Sequence, residues 1–169
     1  HDALPISRAF AGDAPVSAVR LLIDADACPV VEIALRAARE RGVEVLLVCD
    51  DAHEMRREGA RTVTVARGAD SADLRLVNLL RPGDLVVTQD YGLAALCLAR
   101  AARVLDQNGR VYDENNIDAL LSMRHLAARA RRAGGRVKGP PKRKPQQDEA
   151  FRHALEAMLD QAGDSAVRS

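Results

Sequence analysis

The stretch "LLIDADACP" (residues 21–29) decides the fold, because an apolar run ends there in two carboxylates and a proline. The apolar part, with the two residues before it ("VRLLI", 19–23), predicts a buried strand of a parallel sheet. The proline suits the first turn of a helix, and apolar residues at helical spacing continue that helix over 29–41. Asp24 and Asp26 are therefore expected at the carboxyl end of the first strand.

Strands and helices alternate along the rest of the chain in the same way. This alternation is typical of an α/β domain whose parallel sheet is covered on both faces. We therefore predict a three-layer α/β/α sandwich with a mostly parallel sheet of about five strands. The further predicted strands are 43–49, 61–66, 84–89 and 103–106, and the further helices are 71–80 (with Leu74, Val77 and Leu80 facing inward), 91–102 and 113–132.

The two ends of the chain differ from this domain, which we expect to span 19–132. The segment "HDALPIS" (1–7) resembles the translated read-through of a sequencing adapter. We therefore expect 1–18 to be non-native or disordered and the native protein to start near Val19. After the domain we predict a basic Gly/Pro-rich arm over 133–147, a helix over 148–161 that packs through Phe151, Leu155, Met158 and Leu159, and a disordered tail over 162–169.

The composition is that of a globular protein, with 47% hydrophobic and 29% charged residues but only 2% aromatic residues. No apolar run approaches the ~18 residues of a membrane-spanning helix, so we expect a soluble protein without membrane association. The three cysteines (Cys28, Cys49 and Cys97) are scattered and form no zinc-type spacing with histidine. This pattern favours a reducing cytoplasm, and it predicts that any bound metal has oxygen ligands rather than those of a zinc site.

Charge is distributed unevenly along the chain. Residues 119–147 contain nine lysines and arginines and no acidic residue, whereas the remainder carries 16 basic and 24 acidic residues. Such a basic segment is often a solvated tail, but it also suits contact with the phosphates of a nucleic acid. We predict phosphate contacts, and RNA as the preferred partner, through Arg67 and, in the segment itself, Arg131, Arg132, Arg136 and Lys138.

Five aspartates are expected at one edge of the sheet. Asp24 and Asp26 follow the first strand, and Asp90 follows the fourth, which commonly lies beside the first in a doubly wound sheet. Asp70 and Asp73 begin the helix that leads into the fourth strand. In such sheets ligands bind at the carboxyl ends of the strands, at the point where the strand order reverses.

A cluster of carboxylates cannot stay fully ionised without a cation, because like charges raise one another's pKa. Mg²⁺ and Mn²⁺ prefer carboxylate and water oxygens, and such ions support phosphodiester hydrolysis. We therefore predict Mg²⁺ or Mn²⁺ as the cofactor and a site in which Asp24, Asp26, Asp73 and Asp90 are catalytic and Asp70 is a further metal ligand.

A purely structural interpretation competes with this one. Asp70 and Asp90 each precede a predicted helix and suit the N-cap position, and Asp26 lies just before another. Asn115 and Asn116 are expected to cap the 113–132 helix in the same way. Cys28 lies near the proposed site without a neighbouring histidine base, which favours a small buried residue over a nucleophile.

The motifs of the chain resemble those of the bacterial YaiI/YqxD family. The resemblance rests on "DADACP" (24–29), "GADSADLRLV" (68–77), "GDLVVTQDYGLAALCL" (83–98), "NIDALL" (116–121) and "RRAGGRVKGP" (131–140). It implies a PIN-like or NYN-like fold, whose nuclease members hold a metal in an acidic site. The positions that it carries over are the same ones: Asp24, Asp26, Asp70, Asp73 and Asp90.

Three functions remain open at this point. The first is a metal-dependent nuclease acting on RNA or single-stranded nucleic acid, and the second is a nucleic-acid-binding or adaptor module without turnover, since PIN-like folds include members that only bind. The third, a phosphatase of the haloacid-dehalogenase type, is disfavoured because that chemistry needs a lysine near the aspartates and the first lysine of the chain is Lys138. The oligomeric state stays open.

Overall fold

The computed structural model describes residues 19–50, 57–65, 71–134 and 141–168. The predictions for 1–18, Arg67, Asp70, Arg136 and Lys138 lie outside these ranges. The described part contains β1 (Arg20–Asp24), α1 (Val31–Glu40), β2 (Glu44–Asp50), β3 (Arg61–Val65), α2 (Ser71–Leu79), β4 (Leu85–Val87), α3 (Tyr91–Ala99), β5 (Arg103–Leu105), β6 (Val111–Tyr112), α4 (Glu114–Arg132) and α5 (Pro145–Arg168).

The six strands form one sheet in the order β3-β2-β1-β4-β5-β6. All neighbouring pairs are parallel except the last, in which β6 runs antiparallel to β5. The order reverses between β1 and β4, so the predicted adjacency of the first and fourth strands is confirmed, with Ile23 opposite Val87. The carboxyl ends of β1 and β4 therefore lie side by side, at the position where doubly wound sheets bind ligands.

Helices cover both faces of the sheet, which confirms the three-layer architecture. Successive side chains of β1 point to opposite faces: Leu21 and Ile23 pack in one apolar cluster with α1 and α5, and Leu22 packs in the other with α2, α3 and α4. Both clusters are built mainly from aliphatic side chains, with Phe151 buried in the first and Tyr112 in the second. The C-terminal helix α5 belongs to this core, since its predicted contact residues Phe151, Leu155, Met158 and Leu159 are all buried.

A buried ion pair fixes β1 against β4 at the end of the sheet opposite the aspartates. Arg20 and Asp84 are only 6% and 2% exposed. The guanidinium donates to both carboxylate oxygens, with Nη2–Oδ2 at 2.7 Å and Nε–Oδ1 at 3.2 Å, and Nη2 also donates to the carbonyl of Leu79. Because a buried pair with satisfied hydrogen bonds is costly to break, it holds the register that places the two carboxyl ends together.

Several local predictions are wrong in detail. Leu74 is 55% exposed, and Leu76 lies in the core beside Val77. The buried side of this short helix is therefore rotated by part of a turn from the side that we predicted. The N-cap of α4 is Asp113, whose side chain accepts hydrogen bonds from the amides of Asn115 and Asn116, so neither asparagine is the N-cap. Asn116 nevertheless completes a capping box, because its Oδ1 accepts a hydrogen bond from the Asp113 amide.

The boundaries of two helices also differ from the prediction. Helix α1 begins at Val31, two residues beyond the proline that we placed in its first turn. Helix α5 runs from Pro145 to Arg168, so residues 162–168 are helical rather than a disordered tail. No helix of the described ranges has both the length and the apolar character needed to cross a membrane.

Candidate functional site

The loop after β1 turns sharply and is tied to both neighbouring strands. Ala27 has φ 59°, a left-handed conformation that is costly for a residue with a Cβ atom. The Gln89 side chain donates to the Ala27 carbonyl at 3.0 Å, and the Asp50 amide donates to Asp26 Oδ2 at 3.1 Å. The loop is thus held between the carboxyl ends of β2 and β4, with Asp24 immediately before it.

Thr88 connects Asp24 to Asp90. It is 1% exposed and follows β4, and its Oγ1 donates to Asp24 Oδ2 at 2.8 Å. Thr88 Oγ1 also accepts a hydrogen bond from the Asp90 amide, at 3.0 Å. Thr88 was not predicted as a site residue, although a hydroxyl residue between a buried strand and an aspartate at the switch point is a usable signal.

Asp90 has a structural role that the sequence also predicted. It is the N-cap of α3, and its Oδ1 accepts from the Leu93 amide at 3.0 Å. Its side chain nevertheless remains 42% exposed, and Arg124 Nη1 lies 3.8 Å from the same oxygen. The cap therefore orients Asp90 toward the edge of the sheet without burying it.

The pKa of Asp24 reflects its burial and the charges of the neighbouring carboxylates. Burial raises the pKa of Asp24 to about 6, the Thr88 hydrogen bond opposes this shift, and the charges of Asp73, Asp26 and Asp90 raise the pKa further. Asp73 lies in the first turn of α2 and is partly buried. Three of the other four predicted aspartates are thus close enough to Asp24 for their charges to raise its pKa.

The donor set fits a hard divalent cation in its chemistry. Carboxylate oxygens are the ligands that Mg²⁺ and Mn²⁺ prefer, and a cation beside Asp24 would favour the ionised form that burial disfavours. Within the described ranges, no three His, Cys, Asp or Glu side chains are close enough together to enclose an ion. Any ion held there would therefore complete its shell with water, as Mg²⁺ usually does.

The basic residues fall into two groups with different surroundings. Arg131 and Arg132 are exposed in the last turn of α4, as a phosphate contact requires. Arg143 instead has a structural role: it donates to the Gln107 carbonyl at 2.6 Å, to Asn108 Oδ1 at 2.8 Å and to Asp148 Oδ1 at 2.7 Å. The end of the basic arm is thus attached to the β5–β6 turn.

Cys28 has the character of a small packing residue. It is partly buried against the core cluster of α1 and α5. Burial raises the pKa of its thiol, the charge of Asp24 raises it too, and a hydrogen bond with Val30 and the charge of Arg143 act in the opposite direction. A raised pKa keeps the group a thiol at neutral pH, which agrees with the interpretation that it is not a nucleophile.

The fold and this edge define a class: a doubly wound α/β protein with an acidic switch point. A family model described as "Uncharacterized BCR, YaiI/YqxD family" matches residues 22–161. The chain belongs to this family, as its motifs indicated.

The relatives support the same assignment over most of the chain. A UPF0178 protein of Exiguobacterium sibiricum is 51% identical over 86% of this chain and 100% of its own length. A UPF0178 protein of Ruminiclostridium cellulolyticum is 46% identical over 81% of this chain and 90% of its own length. A UPF0178 protein of Natranaerobius thermophilus is 43% identical over 85% of this chain and 97% of its own length. No solved structure matches the chain.

Proposed function

We propose that this protein is a divalent-metal-dependent phosphodiesterase that cleaves RNA or single-stranded nucleic acid. The observation that carries the proposal is the carboxylate cluster at the switch point of the sheet, in which Asp24 is buried enough to raise its pKa to about 6 beside three other aspartates. Perturbed carboxylates in such a position are characteristic of catalytic and metal-binding sites.

The residues divide into ligands and positioning groups. Asp24, Asp73 and Asp90 would hold Mg²⁺ or Mn²⁺ in part through bridging water, because no three described carboxylates lie close enough to enclose an ion. Asp26 and Asp70 would bind ligand water or orient it. The bound ion would supply an activated water and offset the charge that develops on the phosphate. Thr88 Oγ1 holds the Asp24 carboxylate in place by donating to it, and fixes the Asp90 backbone by accepting its amide.

The substrate class rests on the basic residues predicted to contact phosphate, two of which are in the last turn of α4. Arg131 and Arg132 are exposed on α4, and Arg67, Arg136 and Lys138 would add to them. Contacts from arginine and lysine to phosphate do not depend on base sequence and weaken with salt. Few aromatic residues are present for base stacking, so we propose backbone recognition of a single strand, with RNA preferred.

A binding module without turnover is the second candidate, and one observation favours it. Asp90 caps α3 and Asp26 accepts the amide of Asp50, so two of the aspartates already contribute to the fold. On this alternative the basic surface still binds nucleic acid, but the carboxylates do not act on it.

A cleavage assay separates the two candidates. Labelled single- and double-stranded RNA and DNA are incubated with the protein in Mn²⁺, Mg²⁺ or chelator, beside Asp24→Asn and Asp90→Asn single and double variants. Both substitutions preserve local structure, because asparagine can still accept from Thr88 at position 24 and is a good N-cap at position 90. Asp118→Asn, the same change at an exposed position of α4, is the matched control.

The proposal expects metal-dependent cleavage that Asp118→Asn retains and that each site variant lowers by at least about 100-fold. Equal salt-sensitive binding by all proteins without any cleavage would instead establish the binding module. Cleavage that survives the double variant would place the activity elsewhere on the molecule.

A further inference from the structure

Arg124 lies at the acidic edge although no motif singles it out. It is in the middle of α4, 57% exposed, and its Nη1 is 3.8 Å from Asp90 Oδ1. Among the described residues it forms this ion pair but donates no hydrogen bond. Its guanidinium, which carries five N–H donors, is therefore available to a ligand next to the proposed catalytic Asp90.

Gly92 makes room for this guanidinium. A Cβ atom at position 92 would lie 2.7 Å from Arg124 Nη1 and 3.2 Å from Asp90 Oδ1. The glycine in the first turn of α3 thus lets the arginine rest over the helix terminus. The packing of α4 against α3 at this glycine, rather than a hydrogen bond, therefore places the guanidinium beside Asp90.

The ion pair with Asp90 does not by itself explain this arrangement. An exposed pair at 3.8 Å without a hydrogen bond contributes little to stability. Asp90 Oδ1 already accepts the Leu93 amide as a helix cap, so the fold does not require the arginine there. A planar guanidinium with unused donors, on the other hand, suits a phosphate that it can contact through two parallel hydrogen bonds.

We propose that Arg124 binds the substrate phosphodiester at the carboxylate cluster and positions it for cleavage. The inference rests on the proposed function and adds a substrate-contacting residue to it. An anionic backbone that approaches Asp24 and Asp90 is repelled by both, and the positive charge of Arg124 beside Asp90 offsets part of that repulsion. Arg131 lies two helical turns further along the same side of α4. The two arginines could therefore contact successive phosphates of one strand that leads away from the site.

The test compares Arg124→Ala and Arg124→Lys with Arg129→Ala. Arg129 is exposed on the same helix and carries the same charge, but its position five residues on places it on another side of α4. Binding of labelled single-stranded RNA is measured in chelator, where no metal-dependent cleavage occurs, over a range of salt. The values of kcat and KM are measured separately with Mn²⁺.

Arg124→Ala is expected to weaken binding about ten-fold and to reduce the slope of log K against log salt by about 0.7, the value for one phosphate contact on a single strand. It should also lower kcat, since the contact positions the reacting group. Arg124→Lys should restore the salt slope but only part of kcat, because lysine lacks the planar fork. Arg129→Ala should resemble the wild type in every measurement.

Failure of this inference and failure of the proposed function give different results. If Arg124→Ala and Arg129→Ala have equal binding and salt slopes, the phosphate contact is refuted, whether or not the protein cleaves RNA. If the wild type does not cleave but Arg124→Ala selectively loses one phosphate contact, catalysis is refuted and the contact is supported. Absence of binding by the wild type refutes the inference.

Discussion

At the scale of single residues, the site combines groups that conflict with stability. Asp24 is partly buried beside three other carboxylates, and its pKa of about 6 means that its ionisation is costly in the folded state. Residues that destabilise the fold in this way are common where function requires a charge. Thr88 limits the cost by donating to the ionised form, which lowers the pKa.

The first prediction concerns Asp24→Asn in chelator. Because the folded-state pKa of Asp24 lies above the ordinary aspartate value of 3.8, the folded protein binds the proton more tightly than the unfolded chain does. Wild-type stability should therefore fall as pH rises from about 4 to 6, and the variant lacks this loss. We expect the variant to gain on the order of 2 kcal/mol over the wild type at pH 7.5 and close to nothing at pH 4.

Urea unfolding of both proteins across this pH range measures the effect. Asp118→Asn serves as the control, because it removes an exposed carboxylate and should follow the wild-type curve. A difference between Asp24→Asn and the wild type that stays constant with pH would contradict the assignment of a raised pKa to Asp24.

The second prediction concerns Gly92→Ala. Gly92 has no left-handed φ, so alanine can adopt its backbone conformation, and the free energy of unfolding should change by less than about 1 kcal/mol. The added Cβ displaces the flexible end of Arg124, so RNA binding should weaken as it does in Arg124→Ala.

A double-mutant cycle identifies the cause of that loss. In the Arg124→Ala background, the glycine substitution should add almost nothing to the loss of binding, because both changes remove one contact. Additive losses would show that Gly92 acts through Asp90 or the helix terminus instead of through the arginine.

At the scale of elements, α5 and the β5–β6 turn determine each other's position. Gly109 has φ 88°, and a Cβ atom there would lie 2.5 Å from the carbonyl oxygen of Ala150 in α5. Arg143 reinforces the contact through the carbonyl of Gln107 and the side chain of Asp148. The C-terminal helix is therefore an integral part of the helical layer that covers this face of the sheet.

The third prediction compares Gly109→Ala with Gly83→Ala. Both glycines have φ near 90°, but a Cβ atom at position 83 meets nothing within 4 Å. Gly83→Ala should cost about 1–2 kcal/mol from the backbone alone. Gly109→Ala should cost at least ~1 kcal/mol more, since backbone cannot move aside as a side chain can.

Chemical denaturation at one pH gives both values. Equal losses for the two variants would mean that α5 does not approach the turn as closely as the structure shows. Hydrogen exchange of α5 amides adds a local measurement, because only the Gly109 substitution should reduce their protection.

Among the elements, the ones that sequence predicts best have the strongest patterns. The strands at 20–24, 44–50 and 85–87 contain continuous apolar runs (21–23, 45–49 and 85–87), and their order follows from a general rule of doubly wound sheets. Strand β6 has only two residues, too few to show any period. The Leu74 error arises because α2 has nine residues, and such a short helix leaves the phase of its buried side ambiguous.

At the scale of the whole molecule, the candidate site was predictable only in part. The aspartates follow strands directly, so strand order alone brings Asp24 and Asp90 together. Arg124 reaches the same edge only because α4 packs across α3, a geometry that no local motif specifies. Sequence thus indicated the carboxylates, whereas the group proposed to bind their substrate required the packing of helices.

The fourth prediction concerns binding of a cation by the whole folded protein. A ligand that binds only the folded state stabilises it, by about 2.7 kcal/mol at a concentration of 100 Kd. Mn²⁺ or Mg²⁺ should therefore raise the melting temperature of the wild type and of Asp118→Asn but not that of Asp24→Asn. The cation competes with a proton for Asp24, so the rise should be small at pH 5 and full at pH 7.5.

Thermal unfolding with Mn²⁺ titrated at both pH values tests this prediction without reference to activity, and Ca²⁺ serves as a comparison because it requires more oxygen ligands. A shift of equal size in Asp24→Asn would assign the ion to another surface of the protein. A shift that is independent of pH would show that the ion binds without displacing a proton from Asp24. In the first case Asp26 and Asp90 would be left with the structural roles that they already have as hydrogen-bond acceptors for the backbone.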